Sequence, residues 1–276
     1  MTRTTVAGVT GDALSARTVD DVRLAVSVHG SGPTLVMIPG LGSSRRVYDP
    51  LVPHLARHLC VVVFDPRGIG ESDFVEGPYT MSQLAADAVA VIDALDEPAA
   101  SVWGASMGGM VAQHVAIEHG ERVQRLLLAC TGPGGPHTVP AQPAATRALL
   151  GKGASTPAEA YRLACTVMYS PEFQRRHAAF IEDEVRHRGL HPVRARVFNA
   201  QYEAARQHDT YERLPSITTP TLVLHGTDDL VVPVQNGELI AARVPGAQWQ
   251  PFPRGSHLFF HETPEAVAAA VLAFLD

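Results

Sequence analysis

Lysine is almost absent from this chain of 276 residues: Lys152 stands alone beside 21 arginines. Such a ratio reads as the codon bias of a GC-rich genome rather than as a phosphate-binding design. With 28 acidic residues the formal net charge is −6, which excludes the basic footprint of a nucleic-acid binder. Cysteine is scarce as well. Cys60, Cys130 and Cys165 are odd in number and irregularly spaced, so they exclude a disulfide framework and read as free, mostly buried thiols in a reducing compartment. Long hydrophobic runs are missing. Nothing approaches the roughly 20 apolar residues of a membrane span, and residues 1–17 are polar and small with no apolar leader core. Internal repeats and low-complexity tracts are missing too. These absences predict a cytoplasmic protein with neither nucleic acid nor membrane as partner. What is plentiful is apolar: 46% of the residues are hydrophobic, ample for one large α/β domain or one domain with an insertion.

Apolar runs alternate with helical patterns through the first half. Residues 24–28, 35–38, 61–64, 101–103 and 123–129 read as strands. Thr80-Met81-Ser82-Gln83 reads as a capping box opening a helix with Leu84, Ala88, Val91 and Leu95 on one face. Met107, Met110, Val111, His114 and Val115 recur at helical spacing. Alternation of this kind predicts a mostly parallel sheet covered by helices on both faces, with chemistry at the carboxyl ends of the strands.

The most informative stretch is Gly104-Ala105-Ser106-Met107-Gly108. It follows a strand-like run and opens a helical one, which is the setting a nucleophile elbow requires. A Cβ at Gly104 or Gly108 would collide with the neighbouring strand or helix. A serine hydroxyl is a poor nucleophile at neutral pH, so it needs a base and a carboxylate that orients the base. His257 is the candidate base. It lies on the loop Phe252-Pro253-Arg254-Gly255-Ser256-His257, between a strand-like run at 248–252 and a final helix opened by Thr263-Pro264. The carboxylate comes from Thr221-Leu222-Val223-Leu224-His225-Gly226-Thr227-Asp228-Asp229, a buried strand followed by two acids on its turn.

In this order of serine, acid and histidine the chain resembles the α/β-hydrolase superfamily. The motifs that carry the resemblance span residues 38–257, nearly the whole chain. The family's acid stands three residues after the strand-end glycine and four before a proline, which selects Asp229 over Asp228. Relatives that carry the acid one strand earlier are excluded, because Leu128-Ala129-Cys130-Thr131 has none. The resemblance implies an oxyanion hole from the amides of Met107 and Leu41, the latter in Ile38-Pro39-Gly40-Leu41-Gly42-Ser43. The family's frequent histidine before this glycine is replaced by Pro39, which leaves the backbone donor but removes a supporting side chain. Asp65 and Arg67, in Phe64-Asp65-Pro66-Arg67-Gly68, resemble a family motif that braces loops.

The rhythm breaks at Gly132-Pro133-Gly134-Gly135-Pro136, and strands resume at Pro220. In relatives this insertion is a helical lid. The expected division is an α/β-hydrolase core at 1–132 and 215–276 with a helical lid at 133–214. The lid holds Tyr161, Met168, Tyr169, Phe173, Phe180, Phe198, Tyr202 and Tyr211, some packing it down and some lining an apolar pocket. It carries eleven basic and eight acidic residues, a formal +3 against −9 for the remainder, which reads first as a solvated surface and second as a lean toward an anionic substrate or an acidic acyl carrier protein. His54/His58 and His187/His191 have i, i+4 spacing. Gly189 and Pro192 argue against a helix for the second pair, and neither pair has a third ligand, so no metal and no cofactor is expected.

The expected reaction is hydrolysis of a carboxylic ester or lactone of a medium-sized, largely apolar small molecule, with Ser106 as nucleophile, His257 as base and Asp229 as its orienter. Ser106 sets the chain apart from epoxide hydrolases and haloalkane dehalogenases, which use aspartate there. Ser-Met-Gly-Gly resembles 3-oxoadipate enol-lactonases, cofactor-free haloperoxidases (perhydrolases) and polyketide esterases. Carbon–carbon bond hydrolases of meta-cleavage pathways place tryptophan after the histidine, where this chain has Leu258. A thioesterase, and a catalytically silent hydrolase fold used as a ligand receptor, complete the alternatives.

Overall fold

The computed structural model describes the backbone of residues 3–6 and 9–276 and the side chains from Ala13 onward. The described residues form one nine-stranded sheet: β1 (Arg3–Val6), β2 (Val9–Arg17), β3 (Arg23–His29), β4 (Thr34–Ile38), β5 (Cys60–Phe64), β6 (Ala100–Ala105), β7 (Val123–Ala129), β8 (Thr221–Gly226) and β9 (Gln248–Phe252). The spatial order is β1-β2-β3-β5-β4-β6-β7-β8-β9. The six strands from β5 to β9 in that order run parallel, while β1, β2 and β3 add an antiparallel edge. Period-two alternation explains why parallel strands here are apolar throughout. Val36, Ile38, Val62 and Leu126 enter the core on one face; Leu35, Met37, Val61 and Leu127 enter the core on the other.

Helices cover both faces. α1 (Val52–Leu55), α2 (Met81–Asp93) and α3 (Met107–Glu118) precede β7; α9 (Gln235–Arg243), α10 (Phe259–Glu262) and α11 (Pro264–Leu275) follow β8. Between β7 and β8 lie α4 (Pro143–Leu149), α5 (Pro157–Met168), α6 (Pro171–Arg176), α7 (Ala178–Leu190) and α8 (Ala195–Arg206). Local chemistry sets several starts. Thr156 accepts from Glu159 N ahead of Pro157, and Ser170 accepts from Phe173 N ahead of Pro171. Thr80 caps α2 through Gln83 N, but Gln83 turns its amide to Asp20 instead of completing a box. Thr263 does not cap α11: its hydroxyl donates to Phe259 O.

β2 pairs with β3 along seven residues, from Gly11↔His29 to Arg17↔Arg23. Two further expectations change. α7 runs through Gly189 and includes His187, with His191 at its cap and the two rings 4.6 Å apart. α1 ends at Leu55, so His54 and His58 do not share a helix face. Among the described residues no group of three or more histidines, cysteines or acids could hold a metal ion, and no helix is long and apolar enough to cross a membrane.

Candidate active site

Ser106 stands between β6 and α3 with φ 57° and ψ −122°, a backbone conformation that a residue with a Cβ rarely adopts and that stores about 1–3 kcal/mol. The surroundings enforce it. Ser106 N donates to Ala129 O at 2.9 Å, and Thr131 Oγ1 donates to Ser106 O at 2.8 Å. The two flanking glycines are required by close approach. A Cβ on Gly104 would lie 2.2 Å from Gly108 O, and one on Gly108 would lie 2.1 Å from Ile38 O. Strand, helix and the loop after β4 therefore converge on one serine.

Asp229 follows β8 and His257 follows β9, and both are buried. His257 Nδ1 lies 2.8 Å from Asp229 Oδ2. The other carboxylate oxygen, Oδ1, accepts from Val231 N at 2.8 Å and Val232 N at 2.9 Å. Burial pushes the Asp229 carboxyl up, but the neighbouring His257 and the hydrogen bonds from His225 and His257 outweigh it and hold the group down at about 2. Asp228 is exposed, and its carboxylate accepts only from the hydroxyl of Thr227, at 3.1 Å. Ser106 and His257 line the same cavity, without a hydrogen bond between them.

That cavity, of about 510 Å³, also receives Leu41 and Met107. Their amides donate to no protein acceptor among the described residues. The loop after β4 lacks a histidine at Pro39, and other residues hold it. Tyr48 Oη donates to Ile38 O at 2.6 Å, Gly42 N donates to Gln201 Oε1 at 2.8 Å, and the Arg188 guanidinium donates to Gly42 O. Gln201 and Arg188 come from α8 and α7 and were not among the sequence candidates. Asp65 accepts from the Arg45 and Glu71 amides and pairs with the Arg45 side chain, while Arg67 is buried against Asp87 and Asp20. Both brace loops, as the motif implied.

The inserted helices supply the apolar wall through Leu149, Leu150, Tyr161, Met168, Phe198 and Tyr202. Tyr169, Phe173 and Phe180 instead pack on one another, Tyr169 and Phe180 also on His261, and Tyr211 stacks on His137. The same wall is tied to the histidine loop. Met168 O accepts from Leu258 N at 3.0 Å and from Ser256 Oγ at 2.7 Å, and Glu262 accepts from Ser170 N at 2.6 Å and Ser256 Oγ at 2.8 Å.

Similarity to known proteins follows this geometry. A poly(3-hydroxyalkanoate) depolymerase of Ectopseudomonas oleovorans is 32% identical over 248 residues, 88% of this chain and 84% of that one. RutD of Caulobacter vibrioides, named as a carbamate hydrolase, is 31% identical over 92% of this chain and 95% of its own. The crystal structure of the enol-lactonase from Burkholderia xenovorans LB400 shares the fold with a TM-score of 0.83, at 24% identity, over 95% of this chain and 99% of that one. The model of the alpha/beta hydrolase family matches residues 35–270, from β4 into α11, and so takes in the elbow, the acid turn and the histidine loop alike. The chain belongs to the alpha/beta hydrolase family.

Proposed function

We propose that the protein is a serine hydrolase cleaving a carboxylic ester or lactone of a medium-sized, largely apolar molecule through an acyl-enzyme. One observation carries the reading: a buried Asp229–His257 bond of 2.8 Å opens onto the same cavity as a serine strained at φ 57°. With Nδ1–H engaged by Asp229, Nε2 is the nitrogen left to act. As Ser106 Oγ bonds the acyl carbon, its proton passes to His257 Nε2, and the carbonyl π electrons move to oxygen. The amides of Leu41 and Met107 donate to that oxyanion. Collapse breaks the bond to the leaving alkoxide, which takes the proton from Nε2. Water then repeats the sequence on the acyl-enzyme and frees Ser106.

The helices α4–α8 act as the lid. A 510 Å³ chamber with an aliphatic and aromatic wall suits a small molecule rather than a polymer groove. Arg188 is the cation on this wall, and its fork fits a carboxylate carried by the substrate. The relative named as a carbamate hydrolase favours a second reading, since a carbamoyl carbon meets the same nucleophile and the same amide donors.

The test uses a fluorophosphonate probe and a panel of esters, lactones, thioesters and carbamates graded by size, with and without a carboxylate. The wild type is labelled and Ser106→Ala is not. Substrates that fill the chamber raise kcat as well as lower KM, because remote binding energy is used at the reacting carbon. Undiminished labelling of Ser106→Ala refutes the nucleophile. Fastest turnover of acetate esters, with steep loss as the acyl or alcohol part grows, refutes the chamber reading and puts a perhydrolase first.

A further inference from the structure

His225 is the penultimate residue of β8 and is fully buried. Its Nε2 lies 2.8 Å from Val232 O and 3.3 Å from Asp229 Oδ2. Both neighbours are acceptors, so Nε2 carries the proton and shares it between them. Nδ1 is buried without a partner, and the ring is packed so closely on α9 that a Cβ on Gly237 would come within 2.5 Å of it. A protonated Nδ1 would therefore bury an unanswered N–H. An orphaned ring nitrogen is unfavourable in an apolar core. Packing alone would be served better by an apolar ring of the same shape, so the polar edge is explained by what Nε2 holds.

What it holds is the acid of the proposed triad, at two points. The direct contact fills the second site on Oδ2, beside the His257 bond. The contact with Val232 O fixes the residue whose N–H, together with that of Val231, holds Oδ1. Three N–H groups thus donate to one carboxylate, with His225 Nε2 3.3 Å from Oδ2 beside them, and rotation about its Cβ–Cγ bond would break at least two of these contacts.

We propose that His225 is a positioning residue for the catalytic base: its shared Nε2–H fixes the Asp229 carboxylate in the one rotation that serves His257. This rests on the serine-hydrolase reading. His225 does not touch the reacting atoms, and it acts only through Asp229.

Three variants test it. His225→Phe keeps the ring and removes the donor. His225→Gln places an amide N–H near the position of Nε2, and His225→Asn carries the same amide too short to reach. His225→Phe lowers kcat about three- to tenfold with KM unchanged, the loss of one ordinary hydrogen bond. His225→Gln returns to within about twofold of wild type and His225→Asn does not. A second readout does not depend on turnover. In a Ser106→Ala background, the low-field proton resonance of His257 Nδ1–H is sharp in the parent and with His225→Gln, and broadened with His225→Phe. Equal rates and equally sharp lines for Phe and Gln overturn the proposal, as do equal losses in both. If His225→Phe does not fold, the Gln and Asn pair decides alone: equal kcat overturns it. A parent without any low-field resonance refutes the Asp229–His257 pairing itself, a different failure from that of His225.

Discussion

Replacing Asp229 by asparagine changes one oxygen to an amide nitrogen and leaves the shape of the side chain intact. The surroundings leave the new group no good orientation. Oδ1 now accepts two backbone N–H groups, from Val231 at 2.8 Å and Val232 at 2.9 Å. The amide oxygen must take that side, because an NH2 there would face two donors. The NH2 is then driven to the Oδ2 side, where it meets His257 Nδ1 at 2.8 Å and His225 Nε2 at 3.3 Å. His257 escapes a donor–donor clash only by moving its proton to Nε2, so that Nδ1 accepts. The nitrogen that should take the serine proton is then already protonated. The expected loss in kcat is about 10⁴, the scale of a wrong-tautomer defect, with KM changed little. Asp228→Asn, on the exposed neighbour, should stay within about twofold, in the range of surface substitutions. Steady-state kinetics on one chamber-filling ester, with thermal melts to show both variants folded, make the comparison. An Asp229→Asn enzyme keeping more than about a tenth of wild-type kcat, or an equal loss in Asp228→Asn, would refute the reasoning.

Ser106→Gly should melt higher than Ser106→Ala, by about 1 kcal/mol in unfolding free energy, because glycine accepts φ 57° without strain; equal or reversed stability would show that the elbow is unstrained. Gln201→Ala should lower kcat and the rate of fluorophosphonate labelling together, each about tenfold, as Gly42 N loses its partner beside Leu41; an unchanged labelling rate would detach α8 from the oxyanion loop. Stability should fall on acidification below pH 6.5, with Asp49, whose carboxyl burial holds up at about 6, offsetting part of the fall as the folded chain takes up its proton. Burial holds the His208 imidazole down at about 3 and that of His261 at about 4, so between pH 6.5 and about 4 the unfolded chain binds protons that the folded chain does not. Each imidazole then removes about 1.4 kcal/mol per pH unit in that window. Urea melts at pH 7 and pH 5 measure it, and a flat profile would count against burial of these rings in the neutral form.

The parts of the fold legible beforehand were those whose signal is local. The strands at 35–38, 61–64 and 123–129 are apolar runs bounded by breakers, and the elbow is a contiguous motif with steric reasons for its glycines. The acid was chosen by its distance from Gly226 and Pro233, and Asp229 rather than Asp228 meets His257. β2 escaped notice because residues 9–17 include Gly11 and Asp12 and show no clean alternation; pairing with β3 overrides that weak propensity. Gly189 suggested a break in α7, yet a helix tolerates one glycine at about 1 kcal/mol when Ile181 and Val185 are buried behind it. Gln201 was invisible for a different reason. Its partner, Gly42, lies 159 residues away in the chain, and nothing near position 201 marks a glutamine destined for a buried amide. Arg188 and His225 share that property: their roles exist only once the helices after β7 and the turn after β8 are docked.

The carbonyl of Met168 makes the molecule an interlock. α5 cannot swing away from the sheet without withdrawing the acceptor that steadies Ser256 and Leu258 on either side of His257, and Ser170 would leave Glu262 in the same movement. Opening on that side would therefore remove two of the contacts that hold the loop bearing His257. The ties of α7 and α8 run instead to the loop after β4, through Arg188 and Gln201. A substrate resting on both walls of the cavity would touch the supports of both loops at once.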